Sequence, residues 1–261
     1  MRALDIASTG MQAQQTNVEV ISNNIANMTT TGFKRRRAEF QDLIYQNLRR
    51  VGSNSSDNGS VVPAGAQVGL GVKTAAIYRI SEQGTLQQTS NSLDLAIQGN
   101  GYFQVTLPSG DIAYTRDGTF ALAADGTIVS SDGYPVVPGI AVPANAQSIS
   151  INVSGQVQAT IAGQATPQTV GQLQLAVFPN EAGLDAQGDN LFLQTAASGA
   201  PTTGVPSSAG FGSVMQGFVE GSNVNVVSEI TNLITAQRAY EMNSKVITTA
   251  DNLMQTLTNL K

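Results

Sequence analysis

Four aspartates, Asp111, Asp117, Asp125 and Asp132, recur through the middle of this 261-residue chain. Two G-x-G fragments, GLGVKT (69–74) and GNGYFQ (99–104), lie nearby. Carboxylates in series can hold a cation or form an acid–base pair, and glycine-rich turns can cradle phosphate. Neither pattern is complete. The glycine fragments lack the third glycine and the following helix of a dinucleotide fold. The aspartate spacing does not match a calcium loop. Three of the four precede glycine, where Asp is favoured for its local hydrogen bonds in turns. Cysteine, histidine and tryptophan are absent. That excludes thiol nucleophiles, disulfides, Cys/His zinc centres and imidazole-dependent triads, and leaves no tryptophan platform for a sugar. With only 12% of residues charged, little remains from which to build an acid–base site. The expectation is a protein that is not an enzyme, with no catalytic residues, cofactor or metal.

The charged residues are unevenly placed. Net charge is −5, yet Phe33 to Arg50 holds six cations and two acids, a local +4 against −9 elsewhere. Lys34, Arg35, Arg36 and Arg37 are consecutive. Nucleic-acid binders usually carry a basic face across the whole domain, so no nucleic-acid partner is expected. No run of about 18 apolar residues could cross a membrane. The opening MRALDIASTGMQAQQ has neither the apolar core nor the cleavage site of a secretory signal.

The elements that must position these residues differ between the ends and the middle. Positions 4, 7, 11, 14, 18, 21, 25 and 28 are Leu, Ala, Met, Gln, Val, Ile, Ile and Met. Alternating steps of three and four fit a coiled-coil seam, or the apolar face of an ordinary amphipathic helix. Residues 222–261 contain no Gly or Pro, and positions 226, 233, 240, 247 and 254 are Val, Leu, Tyr, Ile and Met. Ser222 or Asn225 could cap this second helix. At roughly 36 residues it would be about 54 Å long, and its apolar stripe is too wide for one partner helix. Between the ends, period-two strands alternate with Asp-Gly and other turn signals, which predicts antiparallel hairpins. The predicted fold is α+β. Terminal helices 1–32 and 221–261 pair as a coiled coil. A central antiparallel β domain, 96–204, forms a barrel or sandwich. Segments 33–95 and 205–220 connect them, with a loop at 51–71.

Three stretches carry a resemblance. QTNVEVISNNIANMTTTGFKRRRAEF (15–40) resembles the N-terminal signature of the bacterial flagellar rod and hook axial proteins. GFVEGSNVNVVSEITNLITAQRAYEMNSKVITTADNLMQTLTNL (217–260) is similar to their C-terminal signature. LAIQGNGYFQV and AYTRDGTFALAADGTIV resemble their shared β-domain motifs. Segment 45–72 resembles the insertion of the family's distal-rod members, with proximal-rod members second. A secreted β-rich adhesin and a glycan-active enzyme are the remoter alternatives.

The resemblance implies a self-assembling tubular subunit of the basal body, spanning the periplasm and exported without a cleaved signal. Its implied partners are further copies of itself, proximal rod proteins, the hook protein, surrounding ring proteins and the export apparatus. Leu4, Met11, Val18, Ile21 and Ile25 would form one assembly seam. Ile230, Leu233, Tyr240, Ile247 and Met254 would face it or a neighbour. Asn23, Asn24 and Asn27 would satisfy backbone groups where the first helix ends, before the exit turn at Gly32 and Phe33. Asn223 and Asn225 would cap the second helix or bond across subunits, and Arg238 would pair with a carboxylate of an adjacent chain. The basic patch Lys34 to Arg37 would meet a neighbour's Glu220, Glu229 or Glu241.

Overall fold

The computed structural model describes residues 2–49, 64–163 and 166–259. Most of the expected loop 51–71, residues 51–63, lies outside them. The chain divides into two compact units. A helical unit comprises Met1–Ile25, Arg36–Tyr78 and Asn225–Lys261, and a β unit comprises Ala26–Arg35 and Arg79–Val224.

In the helical unit, α1 spans Arg2–Ala26 and α2 spans Val226–Asn259. Uninterrupted three-four periodicity and the lack of proline let both run long. At 34 residues, α2 is about 51 Å in length. The Asn225 side chain caps it, its Oδ1 accepting the Ser228 amide at 3.2 Å. Four strands complete the unit: β1 (Arg36–Asp42), β2 (Tyr45–Arg49), β3 (Ala66–Gly69) and β4 (Val72–Arg79, whose last residue belongs to the β unit). They pair as two ribbons, β1 with β4 and β2 with β3. Every residue of β2 is exposed.

The β unit contains β5 (Leu86–Gln88), β6 (Leu95–Gln98), β7 (Tyr102–Thr106), β8 (Ile112–Thr115), β9 (Ala121–Leu122) and β10 (Ile128–Val129). It continues with β11 (Ala146–Ile151), β12 (Gln156–Ile161), β13 (Gln168–Gln172), β14 (Leu175–Val177), β15 (Asp185–Gly188), β16 (Leu191–Leu193), β17 (Thr202–Gly204), β18 (Ser213–Gln216) and β19 (Phe218–Glu220). The largest sheet has the order β15-β16-β8-β7-β14-β17, and its recorded pairings are antiparallel. This corrects the barrel expectation: the sheet is open. Its edges are short strands, and β15 carries a register shift between Ala186 and Gly188, a bulge of the kind that bends an edge strand away from further pairing.

Period-two alternation gives this sheet two apolar faces. Phe103 and Val105 of β7, Ala113 of β8, Leu175 of β14 and Leu191 of β16 enter the main core. Their neighbours Tyr102, Tyr114, Ala176 and Phe192 enter a second core with Phe178 and Leu184. A sheet covered on both faces in this way buries almost every residue of its central strands. In the second core Tyr114 meets Phe178 edge-on at 4.7 Å between centroids, and the Arg79 guanidinium sits 3.9 Å above the Phe192 ring.

The aspartate series resolves into local turns. Asp125 Oδ1 accepts both the backbone and hydroxyl hydrogens of Thr127, which hold its carboxyl below the usual range. Asp117 Oδ1 likewise accepts the backbone and hydroxyl hydrogens of Thr119. Gly118 is different from the turn glycine its sequence suggests. It needs to be glycine because a Cβ would lie 1.6 Å from the Leu95 carbonyl oxygen, and that close approach lets Leu95 donate to the Gly118 carbonyl. Among the described residues, no helix is long and apolar enough to cross a membrane.

Candidate assembly interface

Two features stand out, one in each unit. In the helical unit α1 and α2 lie antiparallel. Asn24 donates to Glu229 Oε2 at 3.2 Å. A Cβ on Gly10 would come within 2.9 Å of Asn243 Nδ2. Ala3 shares an apolar groove of about 530 Å³ with Met242, Lys245, Val246, Thr249, Ala250 and Leu253. Stepping back along α1 from Asn24 to Gly10 to Ala3 advances along α2 by equal steps, from Glu229 to Asn243 to Ala250. One register therefore fits all three contacts. Val20 of α1 and Ala236 of α2 are both buried.

Asn24 anchors the end of α1. It is 1% exposed, its Oδ1 accepts the Arg36 amide at 2.8 Å, and its Nδ2 donates to the Arg36 carbonyl at 2.8 Å. With Glu229 this joins α1, β1 and the first turn of α2. Glu229 is itself buried and lies in that first turn, where the exposed amides of a helix N-terminus favour a carboxylate.

α2 is apolar and open on the sides that flank its contact with α1. Ile230, Ile234, Tyr240, Met242, Val246, Leu253 and Met254 are exposed by two-fifths or more. Isolated exposed apolar residues are ordinary, but this many along one helix make a surface of the kind that suits docking.

In the β unit, the segment after the Gly32 turn carries a buried charge cluster. Gly32 has φ 70°, and its amide donates to the Glu220 carbonyl at 2.7 Å. Lys34 is 3% exposed and Glu220 fully buried. Lys34 Nζ reaches Glu220 Oε1 at 2.5 Å and the Glu82 carbonyl at 2.8 Å. Arg116 Nη1 lies 3.5 Å from Glu220 Oε2. Burial pulls the Lys34 ammonium below its usual range; Glu220 opposes this and Arg116 reinforces it.

Comparison with known proteins now decides the lineage. Residues 4–34 match the family described as flagella basal body rod protein. Residues 96–159 match the flagellar hook protein FlgE/F/G D1 domain, and residues 215–260 the flagellar basal body rod FlgEFG protein C-terminal region. The flagellar basal-body rod protein FlgG of Caulobacter vibrioides is 61% identical over 261 residues, covering 100% of both chains. That of Agrobacterium fabrum is 56% identical over 262 residues, again covering 100% of each. The Bacillus subtilis FlgG is 39% identical over 268 residues, covering 100% of this chain and 99% of its own. The chain belongs to the FlgG family of flagellar basal-body rod proteins.

The FlgG family is structural and not enzymatic. Within the helical unit Leu4, Met11, Val18 and Ile25 are half-buried, Ile21 is buried, and Leu233 and Ile247 are half-buried. Ile230, Tyr240 and Met254 are exposed, as is Arg238. Asn23 and Met28 face outward, while Asn27 Oδ1 accepts the Thr30 hydroxyl at 3.1 Å. Asn223 lies in the β unit and holds the Arg35 amide and the Ile80 and Glu82 carbonyls. Ser222 stays local, accepting the Val224 amide.

The basic quartet is not one outward patch. Lys34 is satisfied on Glu220 of its own chain, because the chain turns it inward after Gly32. Arg35 pairs with Glu82 at 3.1 Å, and Arg36 and Arg37 remain exposed. Sequence reasoning missed Gly10, Arg116 and Glu82. Only Gly10 carried a signal, as a glycine inside a helical pattern.

Proposed function

We propose that the chain is a structural subunit of the flagellar distal rod, self-assembling helically into a tubular shaft. In this reading α1 and α2 pair as a coiled coil and pack with neighbouring copies into an inner layer around an export channel. The β units form the outer wall, and the shaft transmits torque across the cell envelope. The observation that carries the proposal is end-to-end similarity to FlgG proteins, including the connecting region 35–95 between the matched family regions. The open apolar side chains of α2 support it, because most helical stability comes from packing and a lone helix has little. Contacts of this kind would repeat head-to-tail, and where the rotation between copies does not close they generate a filament instead of a ring.

The seam residues Leu4, Met11, Val18, Ile21 and Ile25, together with Ile230, Leu233, Tyr240, Ile247 and Met254, are the proposed interface. Arg36, Arg37 and Arg238 would seek carboxylates on adjacent copies. The proposed neighbours at its ends and sides are proximal rod proteins, the hook protein and ring proteins. Delivery would use the flagellar export apparatus, without a cleaved signal, into the periplasm. A proximal-rod role is the second reading.

Deleting residues 227–261 tests the proposal. The shortened chain should keep a folded β unit and fail to form filaments under conditions where the full chain polymerises. Filaments from the shortened chain, seen by electron microscopy, would refute the terminal-helix mechanism.

A further inference from the structure

Within the β unit, the Lys34–Glu220–Arg116 cluster holds two cations and one anion with almost no solvent. Lys34 and Arg116 are each 3% exposed, and Glu220 is 0% exposed. Glu220 Oε1 also accepts the Gly84 amide at 2.9 Å. Its Oε2 has no hydrogen bond among the described residues beyond the 3.5 Å ion pair with Arg116. Arg116 additionally donates to the Gly99 carbonyl at 2.7 Å and lies 5.4 Å from the centre of the Tyr102 ring. The nearby acids are committed elsewhere. The Glu82 carboxylate binds Arg35, and that of Glu181 accepts the Tyr102 hydroxyl at 3.1 Å. Glu220 is therefore the anion that offsets both buried cations.

The three partners come from distant parts of the chain. Lys34 lies on the short segment that enters the β unit after α1. Arg116 follows β8 in the middle, and Glu220 ends β19, the last strand before α2. β19 pairs with β5, and β18 pairs with β6. Until β18 and β19 dock, Lys34 and Arg116 would face each other in a closing apolar site with no counter-charge.

We infer that this cluster is a closure latch, through which docking of the C-terminal strands β18 and β19 becomes a condition for closing the N-terminal entry segment of the β unit. Buried ion pairs add little net stability compared with apolar packing, but removing one partner leaves an uncompensated charge at high cost. The latch thus penalises a β unit that has one chain end in place and not the other. It holds whether or not the protein forms a rod.

The latch predicts an asymmetry between its two simplest substitutions. Lys34→Met leaves Glu220 and Arg116 as a balanced pair. Glu220→Gln, nearly isosteric, leaves two bare cations, and the double variant leaves one. Hydrogen–deuterium exchange on the full-length variants reads the difference, with the amides of β12 as internal reference. Glu220→Gln should speed exchange in β5, β6, β18 and β19 by about 100-fold. Lys34→Met should change it by less than about tenfold, with the double variant between them. If Glu220→Gln fails to fold, recovery of a folded chain in the double variant supports the latch, and no recovery overturns it. Equal or greater damage from Lys34→Met, or unchanged exchange in Glu220→Gln, also overturns it.

Discussion

The two units solve the problem of burying apolar surface in opposite ways. In the β unit the sheet centred on β7 and β8 is covered on both faces, and Phe103, Val105, Ala113, Leu175 and Ala176 are all fully buried. In the helical unit Ile44, Tyr45, Leu48, Ile77, Ile234, Met242 and Leu253 stay exposed. The first region finds its packing within one chain. The second leaves large apolar side chains open on its own surface. A region built that way is stable only as far as something docks onto it, because exposed apolar area contributes nothing to folding until it leaves water.

The strongest way to break the contrast is inside the β unit. Phe103 packs edge-on against Phe120 at 5.1 Å in the main core. Phe103→Ala should cost about 3 to 5 kcal/mol, seen as early loss of near-ultraviolet aromatic dichroism on heating. If the helical unit draws its stability from elsewhere, far-ultraviolet helix signal will not fall in step.

Next in size is Asn24→Ala, which removes the hydrogen bonds to both backbone groups of Arg36 and to Glu229. Leaving the Arg36 backbone groups and the buried Glu229 carboxylate without that partner should cost about 2 kcal/mol. The loss should appear in helical-unit amides by hydrogen exchange and leave β7 and β8 unchanged.

The smallest monomer effect belongs to the exposed apolar side chains of α2. Ile234→Ser should change the stability of the free subunit by no more than about 0.5 kcal/mol. Yet it should slow filament growth measured by light scattering. A large loss of monomer stability would mean that Ile234 is already packed, and the contrast between the units would fail.

Much of this contrast was legible in the sequence. Steps of three and four mark α1 and α2, and Asp-Gly punctuation with period-two strands marks the β unit. What the pattern could not give was the side of α1 that meets α2. Periodicity draws attention to the bulky row through Leu4, Met11 and Val18. Three contacts with α2 come from the neighbouring row of Ala3, Gly10 and Asn24, whose small or polar side chains let two helices approach closely. Nor could it separate Lys34 from Arg35, Arg36 and Arg37. Four adjacent cations read as one patch until the φ 70° turn at Gly32 aims the first of them into the interior. The open sheet in place of a barrel depends on a bulge in β15 and on short edge strands, which alternation alone does not reveal.

The most direct test of the central claim compares amide exchange in α2 and in β7 for the free subunit and the assembled filament. Burial of these open side chains on assembly predicts that α2 becomes at least about 100-fold more protected in the filament, while β7 is equally protected in both. Equal protection of α2 in the two states would contradict the account.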